Sequence, residues 1–143
     1  MSGLVTAGIT QDALDRLFTA ALEAAVARME KDGHFFPLVF ELRANGMIHN
    51  VAMLETAPVD GSADVLGRLT AMLRTRAAEG TIVASAIVLQ GGDDQRMSVR
   101  LRAQNYAKDI AVPFEIERKG YVKRRRRMSL GEILGDTVPN DVF

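Results

Sequence analysis

FPLVFELRANGMIHNVAML, residues 36–54, is the stretch on which the fold turns. Ahead of it apolar residues recur every three or four positions; within it they alternate, and a period of two belongs to a strand whose successive side chains point to opposite faces. Asn45-Gly46 stands in the middle. This pair tolerates the positive φ angles of a tight turn, so it predicts a β-hairpin with a two-residue type I′ turn. Such a loop sets Ala44 opposite Met47, Leu42 opposite His49, Phe40 opposite Val51 and Leu38 opposite Met53, with Glu41, Arg43 and Asn50 on the other side. One face is then apolar except for His49, and Val39, Ile48 and Leu54 lie on the opposite face.

Working outward, Leu14, Leu17, Phe18, Ala21, Leu22, Ala25, Val26 and Met29 form one helical stripe. Thr10 is the expected N-cap, Asp12 and Asp15 favour the positive end of the helix dipole, and Asp32-Gly33 stops the helix. His34 follows at the helix exit. Beyond the hairpin, Pro58, Asp60 and Gly61 make a loop. Val65, Leu66, Leu69, Met72, Leu73 and Ala77 then repeat the stripe until Gly80, a natural helix stop.

Residues 81–89 are dense in Ile, Val and Ala, as in a central strand covered on both sides, with Ala84, Ser85 and Ala86 small enough for a helix to cross close by. Gly91-Gly92-Asp93-Asp94 reads as a turn. It lacks the lysine and hydroxyl residue of a phosphate-binding loop. Met97, Val99, Leu101 and Ala103 alternate with Ser98, Arg100, Arg102 and Gln104, giving a half-exposed strand with arginines on one face. Ile110, Val112, Phe114 and Ile116 form the next strand, in which Pro113 lacks a ladder donor and predicts an edge or a bulge. Lys119-Gly120 turns the chain into a last strand from Tyr121. Ser129-Leu130-Gly131-Glu132, with Met128 and Ile133 as a hydrophobic staple, matches a capping box and predicts a short helix to about Leu134.

The resulting order is αββαββββ plus a short C-terminal helix. It describes one α+β domain over residues 1–143, a largely antiparallel sheet of about six strands with both long helices on one face. Residues 136–143 are expected to be loosely held, or docked only through Val142 and Phe143. The helix-strand-strand order occurs twice, at 10–54 and 63–103, as internal duplication or as reuse of a common arrangement.

The 143 residues suffice for one core. With no cysteine, disulfides and thiolate chemistry are excluded, and with only two histidines neither a metal site nor a cofactor is expected. No basic-then-apolar leader and no run of ~20 apolar residues is present, so a cytoplasmic protein with no membrane role is the default expectation.

Charge is unevenly placed: residues 118–127 hold seven basic and no acidic side chains, while the rest of the chain is net acidic by the same amount. The run Lys123, Arg124, Arg125, Arg126 and Arg127, preceded by Arg118 and Lys119, fits an anionic partner. The same run also protects a sheet edge from pairing with another molecule, or pairs with Glu115 and Glu117. Three functional readings follow. The first is a noncatalytic interaction module, a homo-oligomer that engages an acidic or anionic partner through Arg100, Arg102 and the basic run. Its self-association is argued from Val39, Ile48 and Leu54 on a face that needs cover. The second is a small metal-independent enzyme with His49 as acid or base beside Arg100 or Arg102 as an anion clamp. The third is nucleic-acid binding through residues 118–127.

Overall fold

The computed structural model describes residues 10–32, 37–51, 62–90, 96–119, 125–131 and 133–143. The elements are α1 (Gln11–Asp32), β1 (Leu38–Arg43), β2 (Ile48–Val51), α2 (Ser62–Ala78), β3 (Ile82–Gln90), β4 (Arg96–Ala103), β5 (Tyr106–Lys119), β6 (Arg125–Leu130) and β7 (Leu134–Thr137). The strands make one antiparallel sheet in the order β2-β1-β3-β4-β5-β6, with β7 also on β5. This is the α+β architecture expected from the sequence. Among the described residues, no helix is long and apolar enough to cross a membrane.

The helix ends follow local chemistry. Thr10 Oγ1 accepts from the amide of Ala13 at 3.1 Å, the N-cap bond. At the end of α2, Gly80 takes φ +77°, its amide donates to Ala77, and that of Thr81 donates to Arg76. Two otherwise orphaned carbonyls are thereby satisfied, which stops the helix at a glycine.

The hairpin forms, but one residue out of the expected register. Its loop has three residues, Ala44 to Gly46: the amide of Arg43 donates to Met47 and that of Gly46 to Arg43, both at 2.8 Å. Gly46 alone is left-handed, at φ +89°, and Asn45 uses its side-chain oxygen to accept from the Met47 amide at 3.0 Å. A tight turn closed by one left-handed glycine is the common three-residue hairpin. The odd loop length pairs Leu42 with Ile48, Glu41 with His49, Phe40 with Asn50 and Val39 with Val51. A one-residue slip reverses every side chain of one strand relative to the other. His49 therefore shares the face of Glu41, not that of Phe40 and Leu42.

A second correction concerns the helices, which pack on opposite faces. Leu14, Leu17, Ala21, Ala25 and Met29 of α1 bury Leu38, Phe40, Leu42, Ala84, Ala86, Val88, Met97, Val99 and Leu101. Leu69 and Leu73 of α2 bury Val39 and Ile87 from the other side. One parity of β1 and β3, from Leu38 to Leu42 and from Ala84 to Val88, is wholly apolar and the other mixes Val39 and Ile87 with buried Glu41 and Ser85, so both faces carry side chains that need cover. Val39 lies beneath α2 and Ile48 packs on the α1 side, so neither needs a second copy of the chain to cover it, and Leu54 lies outside the described residues. The arrangement also bears on duplication. A twofold axis relating the antiparallel neighbours β1 and β3 stands perpendicular to the sheet and would keep both helices on one face; the two helix-strand-strand units have no such symmetry.

The third correction is the short C-terminal helix. Leu130 ends β6 and Leu134 begins β7. Register sums on β5 change by one between the two strands, so together they act as one return strand with one extra residue, a bulge, somewhere between Leu130 and Leu134. The bulge lies beside Pro113, whose carbonyl accepts from the amide of Gly131 at 2.8 Å. An isolated helix of one or two turns containing a glycine cannot overcome its nucleation cost, whereas β5 offers a ladder partner for each residue except where proline withholds one. Expectations for His34, Phe36, Met53, Leu54, Gly91-Gly92-Asp93-Asp94, Tyr121, Lys123, Arg124 and Glu132 lie outside the described residues.

Candidate functional site

On the α2 side a row of directly opposed residues crosses the sheet: His49 of β2, Glu41 of β1, Ser85 of β3 and Arg102 of β4. Glu41 and Ser85 are fully buried and Arg102 is 2% exposed. A buried charge needs a partner of opposite sign. For Glu41 it is Arg76 of α2, bound through Nε to one carboxylate oxygen and through Nη2 to the other at 3.0 Å, with Arg43 Nη2 at 3.6 Å. Between the two charged centres, Ser85 Oγ is buried without a hydrogen-bond partner among the described residues.

Arg102 holds a second, separate centre. Its Nε donates to Asp141 (2.7 Å), its Nη2 to Asp109 (2.9 Å) and its Nη1 to the carbonyls of Lys108 (3.0 Å) and Leu101 (3.2 Å). Arg100, two residues earlier on the same strand face, approaches Asp109 at 3.8 Å. Burial alone would push the Asp141 carboxyl up. The hydrogen bond and charge of Arg102, a backbone hydrogen bond and the charge of Arg100 outweigh it, and the group lies below the ordinary aspartate value.

Asp141 belongs to a strap, residues 140–143, laid over the end of α2. Asn140 Nδ2 donates to the Ala103 carbonyl (2.8 Å), and its Oδ1 accepts from the amides of Val142 (3.2 Å) and Phe143 (2.9 Å). Arg74 of α2 donates to the Asp141 carbonyl at 3.1 Å. Val142 is buried with Leu69 and Leu73, and Phe143 packs beside it. Docking is not confined to Val142 and Phe143 and the segment is not a loose tail: Asp136 and Thr137 pair with β5 in β7, and Asn140 and Asp141 are hydrogen-bonded as well. Ordering four residues costs about 4–8 kcal/mol. Burying Val142 contributes about 2 kcal/mol, and the five hydrogen bonds just named contribute about 1 kcal/mol each. The two sides nearly cancel. Beside the strap is an open cleft of about 330 Å³, lined by Arg74, Ala77, Ala78, Gln104, Val142 and Phe143.

The basic run sits elsewhere. The pairing of β4 with β5 reaches Pro113, and from Phe114 onward β5 pairs with β6 alone among the described residues, as a two-stranded ribbon. Its register sets Lys119 opposite Arg125, Arg118 opposite Arg126, Glu117 opposite Arg127 and Glu115 opposite Ser129. Within β6, only Arg127 stands opposite a carboxylate residue. Helix α1 packs against β6.

The sequence-predicted residues thus separate into three places. His49 and Arg102 lie in one row but three strand spacings apart, about 14 Å, and Arg100 is off that row, opposite Ile87, so the histidine and its proposed anion clamp do not meet. Arg100 and Arg102 are engaged by Asp109 and Asp141. Arg125, Arg126 and Arg127 are on the ribbon. Sequence reading missed Glu41, Arg76 and Asp141. A lone glutamate between Phe40 and Leu42 was the available signal for the first; nothing local marks the other two. Among the described residues, no three His, Asp or Glu side chains converge to hold a metal ion. No family model, curated protein or solved structure matches this chain.

Proposed function

We propose that this protein is a noncatalytic interaction module, acting as a homo-oligomer, whose β5–β6 ribbon engages an acidic surface of a partner protein. The observation that carries this reading is the ribbon register, in which Arg118 stands opposite Arg126 and Lys119 opposite Arg125. Like charges directly opposed destabilise a two-stranded ribbon, and a partner bearing carboxylates relieves that repulsion. While residues 140–143 are seated, Arg100 and Arg102 are paired with Asp109 and Asp141 within the chain, and an external acidic surface then meets the ribbon. Because the remainder of the chain is net acidic, a compact acidic patch fits better than a long polyphosphate, which would meet repulsion beyond the ribbon. Self-association has a new ground: Leu130, Ile133 and Leu134 are exposed on the outermost strand, and an apolar strand edge is a template for pairing.

The test is binding to immobilised polyglutamate across a salt series, comparing the native chain with Arg125→Gln/Arg126→Gln. Salt-sensitive binding that falls at least tenfold in the double variant supports the proposal. Indifference to salt or to the two arginines overturns it, and stronger retention on single-stranded DNA at equal ionic strength replaces it with nucleic-acid binding. Light scattering of the native chain and of Leu134→Lys reads the oligomeric part, which a strictly monomeric native chain defeats.

A further inference from the structure

We propose that the groove under residues 140–143 is a peptide-binding site, filled in cis by the chain's own strap and open, when the strap lifts, to a partner segment bearing an aspartate followed by two apolar residues. The strap is bound as a peptide ligand would be. One side-chain carboxylate reaches a buried guanidinium, one backbone carbonyl takes a hydrogen bond from Arg74, and one apolar side chain is buried in the cluster that holds Leu69 and Leu73. The charge left behind is specific. Without Asp141, Arg102 loses the partner of its Nε and shares Asp109, which lies across the ladder from Asp136, with Arg100, while the Leu101 and Lys108 carbonyls still hold its guanidinium in place. Such a site is preorganised for a carboxylate and costs little to refill.

Two further observations point to exchange. The strap has no strand or helix hydrogen bonds of its own and is held by a few side-chain contacts, the kind of segment in which local opening occurs. It also leaves room, because the cleft lined by Arg74, Ala77, Ala78 and Gln104 continues past Val142 and Phe143 with about 330 Å³ unfilled, enough for side chains bulkier than those of the strap. The inference is independent of the basic ribbon, since none of its contacts involves β6.

The probe is a fluorescein-labelled heptapeptide, Thr-Val-Pro-Asn-Asp-Val-Phe, with a control carrying Asn in place of its Asp. It is titrated by fluorescence anisotropy into the full chain and into Asn140→Ala/Val142→Ser, which weakens the strap and leaves the groove intact. The expected result is at least tenfold tighter binding by the strap-weakened chain than by the native one. The Asn control should bind at least tenfold more weakly, and adding Arg102→Met should erase the gain. Absence of saturable binding, or equal binding of the two peptides, overturns the proposal. Cooperative loss of structure in the strap variant also overturns it, since the segment would then be an integral part of the core. Hydrogen exchange on the native chain reads the same point without mutation: the Val142 and Phe143 amides should exchange at least a hundredfold faster than those of β4, and equal protection contradicts displacement.

Discussion

The two faces of this sheet are covered by helices of similar amphipathic pattern, yet they bury different things. Under α1 lie hydrocarbon side chains alone: Leu38, Phe40 and Leu42 of β1 continue through Ala84, Ala86 and Val88 to Met97, Val99 and Leu101. Under α2, every second step along the same strands reaches a polar or charged group, Glu41, Ser85 and Arg102, set among Val39, Ile87 and Val142. The first face supplies stability that depends on volume. The second depends on correct pairing, and breaking a pair by removing one member costs far more than replacing both. The α2 face therefore carries whatever is conditional in the molecule, including the strap.

Three experiments set the faces against each other, beginning with the largest effect. Phe40→Ala on the α1 side should destabilise by about 3–5 kcal/mol in denaturant titration, since it removes a buried ring and leaves a cavity. On the α2 side, Arg76→Met should cost about 3 kcal/mol because it leaves fully buried Glu41 without its bidentate partner. The double change Glu41→Met/Arg76→Met should return to within about 1 kcal/mol of the native chain. A double variant as weak as the single would mean that this face is held by shape alone and that the contrast is false.

Acid separates the faces without a mutation in the core. Asp141 titrates below its ordinary value in the folded chain, so its contribution to stability is complete above the unfolded aspartate pKa, near pH 4, and is lost as pH falls through the lowered folded value. The native chain should be more stable than Asp141→Asn at neutral pH, and the gap between their denaturation midpoints should close on acidification below about pH 4. A gap that widens as pH falls would contradict the pairing with Arg102. On the α1 face the ionisable group packed against the core is Tyr106, which burial and the charge of Asp15 hold above the ordinary tyrosine value and therefore neutral throughout the acid range, and Phe40→Ala should give a difference that does not change on acidification.

The α1 side was legible because its signals are periodic: one helical stripe, alternation along each strand, and Thr10 and Gly80 as stops. What the sequence hid follows from a single residue of loop length. Asn45-Gly46 serves a two-residue loop and a three-residue loop about equally well, and the choice decides whether His49 lies with Phe40 or with Glu41. The placement of α2 was hidden for a related reason. A stripe shows that a helix has a face to bury, but not which side of the sheet will take it, and Val39 was read as uncovered when it needed only the second helix. Asp141 escaped notice because its partner is 39 residues away and joined to it only through the fold. The capping box at Ser129 misled because its local preference was real, and strand pairing along β5 outweighed it.

The smallest expected effect is also the one that ties structure to the proposed role. If opposed like charges on the ribbon are retained for a partner, then Arg126→Glu, which sets an acid opposite Arg118, should make the free protein slightly more stable, by about 0.2–1 kcal/mol, while weakening its salt-sensitive binding to polyglutamate. Both signs matter. An interaction surface is expected to be suboptimal for the isolated chain, because residues chosen for a partner were not chosen for the fold. If Arg126→Glu destabilises instead, the basic residues are serving the ribbon itself, as edge protection or through contacts with α1, and the external partner loses its principal support.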